Sequence, residues 1–131
     1  MKRLLLALFL FASPAFAQQS VQIPATMFST PISFGTTTAS AIVAGIAGKQ
    51  IYVTSLVQVP ASGAVVTWEY GTAGTNCTTP TVLTGAMTMT TSQEITFGTG
   101  NGAIMVVPQG ASLCVIISTA AAPGWLTFSQ Y

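Results

Sequence analysis

From Gln50 onward, apolar side chains recur at every second position in short runs, and each run ends in turn chemistry. A period of two belongs to half-buried strands, whereas an amphipathic helix repeats every 3.6 residues. Ile51, Val53, Val57 and Val59 are predicted to share one face of the longest run, Gln50 to Val59. In the next run Val66, Trp68 and Tyr70 occupy one face, and Val65, Thr67 and Glu69 the other. Met87 and Met89, Ile95 and Phe97, Ala103 to Val107, Leu113 to Ser118 and Trp125 to Tyr131 continue the pattern. The breaks are Pro60 to Gly63, a loop from Gly71 to Pro80, the glycine-rich Gly98 to Gly102, Pro108 to Gly110 and Ala120 to Gly124. An earlier strand is expected near Ala39 to Ala44. No stretch offers a capped amphipathic helix of ordinary length. The expected fold is all-β: an antiparallel β-sandwich, jelly-roll-like, of seven or eight strands.

The first seventeen residues have a different logic. Lys2 and Arg3 precede an uninterrupted apolar run, Leu4 to Ala12, then Pro14 and the small-x-small triplet Ala15-Phe16-Ala17. This is the layout of a cleavable signal peptide, with the mature chain starting at Gln18. The apolar run is short of the roughly 20 residues a helix needs to span a bilayer, so no stable membrane span is expected after cleavage. Residues 18–38, with Pro24 and Pro31, are expected as an extended arm with at most one edge strand. Residues 39–131 are expected as the sandwich domain. The location implied is periplasmic or secreted.

Beyond residue 17 the chain has one basic side chain, Lys49, two acidic ones, Glu69 and Glu94, and no histidine. Nucleic-acid binding needs several lysines and arginines to neutralise phosphate, so that class is excluded. A surface with so little charge also has little self-repulsion, so association between copies is expected. Cys77 and Cys114 are the only cysteines. In an oxidising compartment they are expected to pair, stabilising the fold by roughly 4 kcal/mol in the chain-entropy model. The alternative is two buried thiols acting as small hydrophobes.

Catalytic chemistry finds few footholds. Without histidine no Ser-His-Asp or Cys-His arrangement can be built. Two cysteines and two glutamates do not make a zinc or calcium cage, so no metal or other cofactor is expected. Glu69 and Glu94 alternate with apolar neighbours and are expected on solvated faces rather than as a glycosidase pair. The chain is not expected to be an enzyme. Trp68, Tyr70 and Trp125 are the candidate ligand-binding residues, since aromatics on an open sheet can stack on sugars or anchor a protein. Core packing is the competing role for the same three.

Ala41-Ile42-Val43-Ala44-Gly45-Ile46-Ala47-Gly48-Lys49-Gln50-Ile51-Tyr52-Val53 resembles the opening of a small β-domain recurrent in tailed-phage proteins. Leu83-Thr84-Gly85-Ala86-Met87, Val107-Pro108-Gln109-Gly110-Ala111-Ser112-Leu113 and Gly124-Trp125-Leu126-Thr127-Phe128-Ser129-Gln130-Tyr131 follow in the order of that domain. The resemblance covers roughly residues 39 to 131. It implies a virion-associated head or tail accessory module with no catalytic residues. Virion proteins normally lack signal peptides, and the exported start departs from that pattern. The expected function is a non-enzymatic structural or interaction module that self-associates or joins a virion or cell-surface assembly. The alternative is a carbohydrate-binding or adhesion module that takes a glycan on its surface aromatics.

Overall fold

The computed structural model describes residues 26–33, 35, 37–72, 77–98 and 102–131. The expected signal peptide, residues 18–25, 34 and 36 of the expected arm, and parts of the loops after Thr72 and Gly98 lie outside the described residues. The described chain is all-β, with strands β1 (Phe28–Ile32), β2 (Thr37–Val43), β3 (Ile51–Gln58), β4 (Val65–Thr72), β5 (Thr78–Val82), β6 (Met87–Thr88), β7 (Ile95–Phe97), β8 (Met105–Val107), β9 (Ala111–Ser118) and β10 (Gly124–Gln130). The described residues form ten strands, where about seven or eight are expected from the sequence.

Two antiparallel sheets pack face to face. Sheet A runs β1-β10-β3-β7, with β8 also on β3; sheet B runs β2-β9-β4-β5, with β6 also on β4. The chain crosses between sheets from β1 to β2, β2 to β3, β3 to β4 and β6 to β7, and again from β8 to β9 to β10. This strand order is that of a jelly roll. β1 pairs with β10 along its whole length, from Phe28↔Phe128 to Ile32↔Gly124. Residues 28–32 of the expected arm therefore belong to sheet A, and Pro31 is accommodated because β1 is an edge strand.

The inner faces meet in a core built on Ile32, Ile51, Val53, Leu56, Val66, Trp68, Leu113, Val115, Ile117 and Leu126. One buried polar bridge crosses it: Trp68 Nε1 donates to Gln58 Oε1 at 3.2 Å, and Gln58 Nε2 donates to the Ala122 carbonyl at 3.3 Å. Both side chains are fully buried, so these bonds satisfy groups that would be costly alone.

The expected face of β3 is half right. Ile51 and Val53 point inward, but so do Leu56 and Gln58, while Val57 is only half-buried and Val59 exposed. A β-bulge causes the change of phase. Val53 pairs with Phe128 and Ser55 with Thr127, leaving Thr54 as the extra residue. Its hydroxyl donates to the Thr127 carbonyl at 3.2 Å. One inserted residue exchanges the faces beyond it. The loop expected from Gly71 to Pro80 is likewise partly strand: β4 runs on to Thr72, and β5 pairs with it through Thr72↔Thr78 and Glu69↔Val82.

Cys77 and Cys114 form a disulfide with their Cα atoms 6.4 Å apart. Such a bond is compatible with an oxidising, exported location. Among the described residues no helix is long and apolar enough to cross a membrane.

Candidate functional site

The three candidate aromatics are distributed over both sheets and do not form one platform. Trp68 and Tyr70 are on the inner face of β4: Trp68 is fully buried, and Tyr70 is half-buried against the core. Trp125 is in β10 of sheet A and is 50% exposed. Its direction follows from register. Leu126 pairs with Leu56 and both are buried in the core, so Trp125 and its partner Val57 point the opposite way, out of the sandwich.

Around Trp125 the outer face of sheet A is continuous. Pro31 pairs with Trp125, Trp125 with Val57, and Val57 with Thr96, giving one row across four strands. Thr96 donates to Glu94 Oε1 at 2.8 Å, so the exposed carboxylate stands at the edge of this row. At the far end of the same face, the Tyr52 and Tyr131 rings stack at 4.6 Å with planes 13° apart. Tyr52 Oη donates to Gln50 Oε1 at 2.6 Å. Val106 pairs with Tyr52 and is 45% exposed. Between these ends lie Ser55 and Thr127, paired with each other. Four strands about 4.8 Å apart and eight residues at about 3.3 Å each span a face of roughly 20 by 25 Å. Sequence alternation signalled Val57 only with the wrong orientation, and it carried no signal for the Tyr52–Tyr131 pair, whose members are 79 positions apart.

Glu69 is a correction to the expected surface carboxylates. It does alternate out of the core, but it is 2% exposed. It pairs with Cys114 on β9 and Val82 on β5, and Cys114 is itself buried on that outer face under its bond to Cys77. This part of the outer face is therefore buried, where a plain two-layer sandwich would be solvated. Glu69 Oε1 has no hydrogen-bond partner among the described residues, and burial raises its carboxyl above the ordinary 4.5. Glu94 is exposed just before β7 of sheet A and accepts from Thr96. The two carboxylates thus face away from each other on opposite sides of the sandwich and cannot flank one glycosidic bond.

Among the described residues no group of three or more histidine, cysteine, aspartate or glutamate side chains could hold a metal ion. Lys49 is exposed beside a cleft at the open end of the sandwich, between Phe28, Phe128 and Tyr131. No protein-family model, curated protein or solved structure matches this chain.

Proposed function

We propose that this chain is an exported, non-enzymatic interaction module that associates with copies of itself through the outer face of sheet A. The observation that carries this is the row Pro31–Trp125–Val57–Thr96 with the Tyr52–Tyr131 pair beyond it: a broad face with exposed aromatic and aliphatic groups and a single carboxylate at its edge. Its size is of the same order as the about 800 Å² that each partner contributes to a standard interface. Aromatic side chains dominate such contacts, and the chain has almost no charge to repel a second copy. The resemblance to a tailed-phage β-domain extends the proposal to a virion or cell-surface assembly. Jelly rolls serve in viral capsids among other places, which is analogy at the level of fold alone.

The test is sedimentation velocity of the purified secreted protein across a concentration series. Growth of the sedimenting species with concentration supports self-association. A strictly monomeric species at high micromolar concentration, together with absence from particles and cell surfaces, opposes it.

A second reading is favoured by one observation. The half-exposed Trp125 ring lies two strands from the Thr96–Glu94 hydrogen-bonded pair. An aromatic ring with nearby polar groups is the chemistry that holds a sugar. Titration with soluble glycans, read by Trp125 fluorescence, distinguishes this from binding to a second copy.

A further inference from the structure

We propose that a cleft between the two sheets is a binding pocket for a small, neutral, largely apolar molecule carrying one hydrogen-bond acceptor. This goes beyond the self-association reading and uses different residues.

The pocket is a product of topology. On one side of the sandwich each sheet ends in two short strands rather than one long strand. In sheet A, β7 pairs with Leu56–Gln58 and β8 with Ile51–Val53, so Thr54 and Ser55 of β3 have no strand partner on that side among the described residues. In sheet B, β5 pairs with β4 between Glu69 and Thr72, and β6 with Val65–Val66, so Thr67 and Trp68 are the gap. There the chain turns back on Trp68: Leu83 N and Thr84 N both donate to the Trp68 carbonyl, at 2.8 and 3.1 Å. A cavity of about 280 Å³ opens between the two interruptions, with Trp68 and Thr84 on one wall and Leu56, Phe97, Ile104 and Met105 on the other.

The lining decides the ligand class. It contains no ionisable side chain, so a charged guest would lose its hydration without compensation. The Trp68 indole N–H is already committed to Gln58. Thr84 Oγ1 accepts from Trp68 N at 3.0 Å, and its own proton has no acceptor among the described residues. Among the described lining residues, one donor is therefore available to a guest. An apolar cavity of about 150 Å³ takes benzene, so this one suits a single ring or a chain of about six to ten carbons. Gly98 lets β7 end tightly against β3 beside this mouth: its φ is +74°, and a β-carbon there would run into the Thr54 carbonyl and lie 2.8 Å from Ile104 Cγ2. Phe97 and Ile104 are 40% and 37% exposed at that mouth, apolar surface that a bound guest would cover.

Trp68 supplies the reporter. The chain has two tryptophans, so Trp125→Phe leaves Trp68 alone. The probe is 6-bromohexan-1-ol, whose bromine quenches indole emission on contact and whose hydroxyl can accept from Thr84. The expected result is saturable quenching. Ile104→Tyr, a change at an exposed position, should narrow the mouth and weaken binding at least about tenfold, and Thr84→Val should weaken it about three- to tenfold, the loss of one net hydrogen bond. If Thr84→Val does not fold, 1-bromohexane replaces it as the comparison: lacking the oxygen, it should bind the unaltered pocket more weakly by the same factor. 6-Bromohexanoate should bind at least about tenfold more weakly than the alcohol. Quenching that rises linearly without saturation, or that is unchanged in Ile104→Tyr, overturns the pocket. Equal binding of the carboxylate overturns the neutral ligand class.

Discussion

Glu69 and Cys114 stand directly opposite each other across β4 and β9, both buried on the side of sheet B that faces away from the core. Among the described residues one carboxyl oxygen has no hydrogen-bond partner, and desolvation by burial raises the pKa. An acid is therefore held out of water directly opposite a disulfide cysteine, in a chain whose only other side-chain carboxylate is Glu94.

The pH dependence follows from the sign of that shift. Below the unfolded-state value near 4.5 both states carry the proton, and the stability linked to Glu69 is complete. As pH rises toward the higher folded-state value, the unfolded chain releases its proton first, and stability falls. It levels off once the folded carboxyl has also ionised. The protein should be more stable at about pH 4 than at pH 8, unlike most domains, whose optimum lies between about pH 5 and 8. With no histidine in the chain, Glu69→Gln should remove most of this slope. Thermal melts of both proteins across the range check it; identical slopes would mean that Glu69 is hydrated.

Breaking the disulfide should cost about 2–5 kcal/mol. In Cys114→Ser, β5 should lose amide protection first, since all five of its residues are exposed and only one neighbouring strand holds it. Denaturant melts and hydrogen exchange measure the two effects separately. Equal stability of oxidised and reduced protein would show that packing alone fixes that loop.

Most strands and the Cys77–Cys114 pairing were legible because alternation and turn residues are local signals, and two cysteines allow one pairing. What escaped was set by contacts distant in sequence. The Thr54 bulge depends on Thr127, 73 positions away. β5 reads Thr-Thr-Pro-Thr-Val, a loop by composition, and becomes a strand because β4 offers it an edge. Alternation correctly placed Glu69 on the face opposite Trp68, but being outside the core is not being in water on a face where Glu69 and its partner Cys114 are both buried. The same alternation could not say that Trp68 faces inward while Trp125 faces out, because each lies in a run with apolar residues on both faces.

Gly124→Ala should destabilise severely, by about 3 kcal/mol or more. A β-carbon at Gly124 would run into the Val57 carbonyl and come within 2.8 Å of Gln58 Cα, both backbone groups of the paired strand β3. Gly85→Ala is the matched control, with nothing within 4 Å of the added carbon, and should change stability by less than about 0.5 kcal/mol. Urea denaturation of the two variants is the measurement, and similar losses in both would refute this packing of β10 on β3.

The central claim is that the outer face of sheet A binds a second copy, and Trp125→Glu tests it most directly. The side chain is half-exposed, so a charge there leaves the core intact while placing like charges together in any assembly built on this face. Sedimentation velocity on the variant and the unaltered protein, at equal high micromolar concentration and with matched melting curves, should show a monomer for the variant and a concentration-dependent larger species for the parent. Undiminished assembly in the correctly folded variant would contradict the account.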